Sequence, residues 1–200
     1  MASIEFFFDL SSPWTFLAFH NIQPIAREAG ATVRWRPFLV GGVFNAVNQG
    51  VYAARENSDS AKSRPLADWL QDWARLAGVP MKFPSPHHPL KSVLAMRACC
   101  VLENRQDELL RFAAQAFTAY FADQRNLDDP AVLAAVAAEC GFDGEALVRR
   151  TGEQEIKDRL RANTQEAIDR GAFGSPTIFV DRTRMYFGND QLPLVRQALR

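Results

Sequence analysis

The sequence is poor in cysteine and contains no Cys-x-x-Cys pair. Its three cysteines are Cys99, Cys100 and Cys140, of which two are adjacent. An odd count without paired spacing argues against a disulfide framework and against a structural zinc site, so we expect no metal. All three lie in or at the end of alanine-rich helical patterns, where we expect buried and chemically inert thiols.

The chain also has no excess of charge and no long apolar run. Lys+Arg and Asp+Glu number 23 each, so the formal net charge is zero, which gives no electrostatic reason to expect nucleic acid or a membrane as partner. Little charge repulsion opposes self-association, and we expect a homodimer. No stretch reaches the roughly 18 apolar residues of a membrane span. The first residues have no basic region and Asp9 interrupts the apolar stretch, so we expect no signal peptide and a cytoplasmic location.

The opening of the chain predicts a β-α-β unit. Residues 3–9 are rich in aromatics and read as a buried strand. A serine cap at Ser12 and a proline at the first helical position then start a helix that ends at Gly30. Residues 32–36 alternate as a second strand. This order favours two parallel strands with a right-handed crossover.

The middle of the chain is predicted to be helical. A long polar connection runs from about residue 41 to residue 63, and loops of this length are often functional. Almost no strand signal follows before about residue 170. Helical patterns cover residues 66–76, 92–103, 108–122, 130–139, 144–149 and 154–170.

The end of the chain predicts a hairpin and a last helix. Residues 177–180 and 184–187 read as its two strands, and Asp190 is expected to cap a helix that runs to Leu199. We therefore predict an α/β thioredoxin-like fold, β-α-β followed by β-β-α, with a large inserted all-helical domain. Residues 1–42 and 171–200 would form the thioredoxin-like domain, and residues 43–170 the insertion.

Several motifs resemble the 2-hydroxychromene-2-carboxylate isomerase family, which stands beside the kappa-class glutathione transferases in the DsbA-like branch of the thioredoxin superfamily. The resemblance covers nearly the whole chain in order and spacing. The motifs are residues 8–15 (FDLSSPWT), 171–177 (GAFGSPT) and 187–190 (FGND), with looser agreement at Asn48-Gln49, Lys62, Trp73-Ala74 and 94–98 (LAMRA).

The resemblance implies that glutathione is the cofactor and that a small aromatic compound is the substrate. A glutathione thiolate held by Ser12 would add reversibly to the conjugated system of a ring-opened substrate, and rotation followed by elimination would give the trans product. Where dithiol relatives begin their helix with Cys-x-x-Cys, this chain has Ser12 and Thr15. A free thiol is only about 3% ionised at pH 7. The helix end and a hydroxyl hydrogen bond together could lower its pKa by about 2 units. The alternative is that Ser12 serves only as a helix cap.

The other expected site residues follow from the same resemblance. The bond before Pro176 would be cis, with the Ser175 backbone pairing with the cysteine of glutathione. Asn189 and Asp190 would hold the γ-glutamyl end, and Lys62 a carboxylate. Asn48, Gln49 and His88 would contact the substrate; for Trp14, Phe38 and Phe44 core packing is the preferred interpretation. Relatives often carry Tyr where this chain has Pro65.

Three other functions stay open at this point. A kappa-like glutathione transferase would keep the thioether in its product. A thiol-disulfide oxidoreductase is disfavoured by the missing Cys-x-x-Cys pair. A protein that binds glutathione without catalysis, or a chaperone-like protein, is the third.

Overall fold

A computed structural model describes residues 2–51 and 63–200. The strands are β1 (Ser3–Phe8), β2 (Thr32–Pro37), β3 (Thr177–Val180) and β4 (Arg184–Phe187). The helices are α1 (Pro13–Glu28), α2 (Val40–Val47), α3 (Ser63–Ala77), α4 (Val93–Leu102), α5 (Gln106–Phe121), α6 (Pro130–Glu139), α7 (Gly144–Arg150), α8 (Gln154–Asp169) and α9 (Leu192–Ala198), with a 3-10 turn at Asn189–Gln191. Among these described helices, none has the length and apolarity needed to cross a bilayer.

The four strands form one mixed sheet in the order β2-β1-β3-β4. β1 and β2 are parallel, with Ser3 opposite Thr32. β3 runs antiparallel to β1, and β4 antiparallel to β3. This arrangement confirms the predicted thioredoxin-like topology, because the helical block enters between β2 and β3. The assignment of residues 43–170 to a separate domain stays a prediction.

Strand β1 is buried on both faces, and its aromatic side chains alternate between two cores. Phe6 and Phe8 face α1, where both pack against Phe19 with ring centroids 6.3 and 6.0 Å apart. Phe7 faces the opposite side and packs against Phe38 and Phe179. The strand therefore anchors helices on both sides of the sheet. A short turn after Phe8 leads to the start of α1 at Pro13.

The inserted helices share the larger core with the sheet. Phe16 of α1 stacks on Phe117 and Phe121 of α5, with ring centroids 5.2 and 5.6 Å apart. The same buried cluster takes in Met96 of α4 and Leu133 of α6. Helix α5 thus supports the helix that begins at Ser12.

A charged cluster occupies the other face of β1. It is centred on Arg36, which is buried and pairs with Glu5 at 3.6 Å and with Glu103 at 3.2 Å. Its remaining members are Glu166 and Arg170 of the α8 region, together with the amide of Asn163. These contacts join β1 and β2 to the end of α4 and to α8.

Two predictions about helix boundaries were wrong. The predicted polar connection begins with helix α2, because Val40 and Val43 are buried and Gly42 packs closely on Thr164 of α8. Asp190 does not cap the last helix. It lies inside the 3-10 turn, and α9 starts at Leu192, where Pro193 occupies the first turn and needs no hydrogen-bond partner for its nitrogen.

Candidate active site

Ser12 lies at the N-cap of α1, as its position before Pro13 predicts. Its Oγ accepts a hydrogen bond from the Thr15 backbone N–H at 3.2 Å and donates to the Ser175 carbonyl at 3.4 Å. The first bond fixes the direction of the hydroxyl. The second is long for an O–H donor, whose usual distance is about 2.7–2.8 Å. The proton of Ser12 is therefore free to turn towards a stronger acceptor.

Ser175 and Thr15 complete a cluster of three hydroxyls with Ser12, which we call the hydroxyl cluster. The Ser175 Oγ lies 2.8 Å from the Thr15 Oγ1 and accepts from the Asp9 backbone N–H at 3.1 Å. Ser175 is 7% exposed and Thr15 is fully buried. The bond between Ser175 and Pro176 is cis, as the family resemblance implies. The motifs around residues 12 and 175 are thus brought together across the sheet.

An apolar cavity of about 690 Å³ opens directly beside Ser12. Its walls include Trp14, Phe44, Leu70 and Phe83, and its polar lining includes Ser12 and Ser175. His88 lines it too, with its ring 4.8 Å from that of Phe83 in an edge-on arrangement. A cavity of this size and character suits a small aromatic molecule.

A second lobe of about 520 Å³ adjoins the first and shares Ser11, Phe44 and His88 with it. It differs in chemistry, because Lys91 and Asn45 line it. The two lobes together therefore offer an apolar chamber beside Ser12 and a polar chamber that carries a cationic side chain.

The side chain of Asn189 points away from Ser12. It is 3% exposed, and its Oδ1 accepts from the Asn21 Nδ2 at 2.9 Å. It lines a separate groove with Trp73 and Pro193, outside the two lobes beside Ser12. Asp190 is exposed and its carboxylate accepts from the neighbouring Gln191 side chain at 3.0 Å. The Asn189 side chain is therefore engaged away from the two lobes beside Ser12, while the Asp190 carboxylate is exposed.

The other predicted contacts are not gathered at the cavity. Asn48 donates to the Phe173 carbonyl at 3.0 Å, and Gln49, which follows α2, donates to the Asn45 carbonyl of that helix. Neither residue lines either lobe. Lys62 lies outside the described residues. Of the three predicted substrate residues, His88 alone lines the cavity.

No cysteine lines either lobe among the described residues. Cys99 and Cys100 are fully buried in α4, and burial raises the pKa of both thiols. Cys140 differs from the prediction in being only half-buried, and burial raises its pKa as well. All three are free thiols. Because a thiol of raised pKa is a poor nucleophile at neutral pH, none of them substitutes for the missing Cys-x-x-Cys pair.

Two residues of the site were missed. Asp9 and Thr15 carry much of the hydrogen bonding around Ser12, yet the sequence showed them only as parts of a longer motif. Asp9 follows a run of three phenylalanines, and a carboxylate at the end of so apolar a strand is a usable signal, since a buried charge needs partners. Core packing was the preferred interpretation for Trp14, Phe44 and Phe38. Trp14 packs against the larger core and also lines the cavity, Phe44 lines the cavity, and Phe38 is a core residue.

Comparison of the sequence with protein-family models identifies the family of this chain. The profile of the DSBA-like thioredoxin domain family matches residues 3–200. The chain belongs to this family.

Curated relatives place this DsbA-like chain within the family. It is 26% identical over 197 residues to the 2-hydroxychromene-2-carboxylate isomerase of Pseudomonas putida, covering 98% of this chain and 93% of the relative. It is 24% identical over 208 residues to glutathione S-transferase kappa 2 of Caenorhabditis elegans, covering 98% and 91%. A solved structure of a 2-hydroxychromene-2-carboxylate isomerase superposes with a TM-score of 0.82 at 24% identity, covering 98% of this chain and 94% of that one.

These relationships confirm the resemblance seen in the sequence. The likeness to the solved structure establishes the fold, and the curated relatives are isomerases and kappa-class transferases. This DsbA-like chain is accordingly an enzyme of the isomerase and kappa-transferase branch. At the start of α1 it has Ser12 and Thr15 in place of a Cys-x-x-Cys pair.

Proposed function

We propose that the protein is a glutathione-dependent cis-trans isomerase that acts on 2-hydroxychromene-2-carboxylate or a similar intermediate of aromatic degradation. The observation that carries the proposal is the Ser12 hydroxyl, fixed at the start of α1 and opening onto an apolar cavity. Names of relatives at 26–27% identity support the reaction class. The names of the kappa-class relatives support glutathione as the cofactor.

The residues around Ser12 fit a thiolate. The Ser12 proton has a long contact to the Ser175 carbonyl, so a thiolate would be the better acceptor. The first turn of α1 contains no acidic residue, and the positive end of a 16-residue helix favours an anion there. Bound glutathione supplies the nucleophilic sulfur that the chain itself does not have at this position.

The remaining contacts to glutathione are proposed from the family resemblance. The backbone of Ser175 would pair with the cysteine of the tripeptide, beside the cis Pro176. The backbone of Asn189 and the carboxylate of Asp190 would hold the γ-glutamyl end. Lys62 would bind a carboxylate. Asn48 and Gln49 are retained only as outer contacts, since their side chains bond to backbone carbonyls elsewhere.

The two lobes support an aromatic substrate that carries an acid. The apolar lobe would take the ring, between Trp14, Phe44 and Phe83. The carboxylate would extend past His88 towards Lys91, whose ammonium lines the second lobe. Exclusion of water by these walls would strengthen the hydrogen bond from Ser12 to the sulfur.

Ser12→Ala is the direct test. We expect kcat to fall about 10- to 100-fold, because a hydrogen bond to a charged acceptor contributes about 1.5–3 kcal/mol. Calorimetry should show that S-methylglutathione, which has no thiolate, binds the variant as well as it binds the parent. Ser3→Ala is the matched control, since that hydroxyl lies at the far end of β1, where it donates to Asp181. Full glutathione-dependent activity in Ser12→Ala would refute the proposed role.

The main alternative is a kappa-like transferase, in which glutathione stays in the product. Mass spectrometry of the product separates the two reactions, because isomerisation leaves the substrate mass unchanged. Disulfide exchange is a weaker alternative, tested by reduction of insulin.

A homodimer is proposed as well, and light scattering would test it. The exposed Trp69 (56%) and Leu76 (78%) on α3 are apolar surface that a second copy could cover.

A further inference from the structure

Asp9 is a fully buried carboxylate at the turn between β1 and α1. Its Oδ1 accepts from the Ser11 backbone N–H at 2.9 Å. Its Oδ2 accepts from the Val40 backbone N–H at 2.9 Å and from the Ser92 hydroxyl at 3.0 Å. One side chain therefore joins three segments: the turn that carries Ser12, the start of α2 and the start of α4.

The backbone of the same residue is bonded to the hydroxyl cluster. The Asp9 N–H donates to the Ser175 Oγ at 3.1 Å, and the Asp9 carbonyl accepts from the Ser12 N–H at 3.4 Å. Any rotation of the turn would therefore move Ser12 and Ser175 together. Val40 and Ser11, which the carboxylate holds, line the cavity beside Ser12.

We propose that Asp9 is a positioning residue, which directs the Ser12 hydroxyl at the sulfur of a bound thiol by tying the turn before α1 to α2 and α4. The inference deepens the proposed function and rests on it. Asp9 does not touch the reacting atoms; it acts through the placement of Ser12.

The chemistry of the three donors explains why a carboxylate stands here. Two backbone N–H groups and one hydroxyl converge on the two oxygens of Asp9, and an ionised carboxylate accepts at both. An amide accepts at one atom only, and its NH₂ group would face the N–H of Ser11 or of Val40. Burial raises the pKa of Asp9, and the hydrogen bonds from Ser11, Val40 and Ser92 oppose that rise.

A positioning role and a purely electrostatic role of Asp9 predict opposite shifts in the pKa of the bound thiol when the charge of Asp9 is removed. A carboxylate near a thiolate repels it, so the loss of that charge alone would lower the thiol pKa. A loosened turn would misdirect the Ser12 hydroxyl and raise the thiol pKa instead. Besides Asp9, the titratable groups that face this region among the described residues include Cys99 of α4, His88 of the cavity wall and Lys91, which lines the adjoining lobe together with Ser11 and Ser92.

The test measures the thiol pKa of glutathione bound to the full-length protein, from the ultraviolet absorbance of the thiolate as a function of pH. Asp9→Asn should raise that pKa and lower kcat at neutral pH by about tenfold or more, since small displacements of a reacting group can cost about a hundredfold. Binding of S-methylglutathione should change less than about threefold. Ser92→Ala removes one donor and should shift the thiol pKa in the same direction by a smaller amount.

Glu103→Gln is the matched control. It makes the same carboxylate-to-amide change at a buried site, but in the charged cluster on the other face of β1. It should leave the thiol pKa unchanged.

The possible outcomes separate the two proposals. If wild-type protein binds glutathione with an ordinary thiol pKa, the proposed function fails, and the role of Asp9 fails with it. If the wild-type thiol pKa is lowered but Asp9→Asn leaves it unchanged, or lowers it further, the positioning role alone is overturned. Should Asp9→Asn not fold, Ser92→Ala decides: an unchanged thiol pKa in that variant overturns the positioning role.

Discussion

The two faces of β1 carry polar clusters of opposite character. On one side lies the hydroxyl cluster of Ser12, Thr15 and Ser175, which is neutral. On the other lies the charged cluster around Arg36, in which two guanidinium groups meet three carboxylates. Both are buried or half-buried, and both join elements that are distant in sequence.

The clusters differ in what they leave available to a ligand. In the charged cluster Arg36 is surrounded by Glu5, Glu103 and Glu166, so its charge is already neutralised by the fold. In the hydroxyl cluster the Ser12 proton has only a long contact and lies at the wall of a cavity. A buried cation enclosed by carboxylates is typical of a structural role, and a donor with a weak partner beside a cavity is typical of a binding role.

The largest effect on stability is expected from Arg36→Met. The change would leave Glu103 and Glu5 in a buried site without their central cation, although Arg170 still reaches Glu5. Removal of one partner of a buried ion pair costs about 3–5 kcal/mol. Urea unfolding should show this loss in the free energy of unfolding, while kcat per folded molecule stays close to the wild-type value.

Arg149→Met is the control for that prediction. The pair that Arg149 forms with Glu145 is exposed and 4.0 Å long, so its loss should not move the urea midpoint measurably. Equal losses in the two variants would contradict the structural role of the charged cluster.

Ser175→Ala should have a smaller effect on stability and a larger one on activity. The buried N–H of Asp9 and the hydroxyl of Thr15 would each lose a partner, at a cost of about 1–3 kcal/mol. Steady-state kinetics on the folded variant should show a reduced kcat, because Ser12 shares the cluster. If Ser175→Ala loses stability but keeps full kcat, the hydroxyl cluster has a structural role like that of the charged cluster.

The smallest effect is a change in pH dependence. Burial raises the pKa of Glu103, although Asn163 and the charge of Arg36 oppose the rise. A carboxyl whose folded pKa is raised stabilises the fold fully below its unfolded pKa, and that contribution is lost as the pH rises through the folded pKa. Glu103→Gln stays neutral, so its free energy of unfolding should fall less than that of wild type as the pH rises from about 4, near the ordinary pKa of a glutamate, through the raised pKa of folded Glu103. Parallel curves in urea titrations would contradict the raised pKa.

Much of the architecture was predictable because it depends on local signals. The aromatic run 3–9, the Ser12 cap with Pro13, and the two short strands of the hairpin all appear in the structure within a few residues of their predicted bounds. Helix α2 was not predicted, since Gly41 and Gly42 suggest a loop. Its formation depends on packing against Thr164, which lies more than a hundred residues away.

The site was predictable in part, for the same reason. Ser12 and Ser175 were identified from motifs and His88 from the family resemblance, and the structure brings all three to one cavity. The direction of a side chain is set by partners that a motif does not contain, however. Asn189 turns to Asn21, and Asp190 sits within a turn because Pro193 delays the helix. The role of Asp9 depends on Val40 and Ser92, from two other segments.

The position of Trp14 gives the protein an optical reporter. This indole lies in the wall of the cavity next to Ser12, whereas Trp35 is 3% exposed and packs 4.6 Å from the ring of Phe19. An aromatic compound that enters the cavity should quench or shift the emission of Trp14 while the emission of Trp35 stays constant until the core opens. With Trp69 and Trp73 replaced by phenylalanine, occupancy and unfolding can thus be followed in one cuvette, from Trp14 at the cavity and Trp35 in the core.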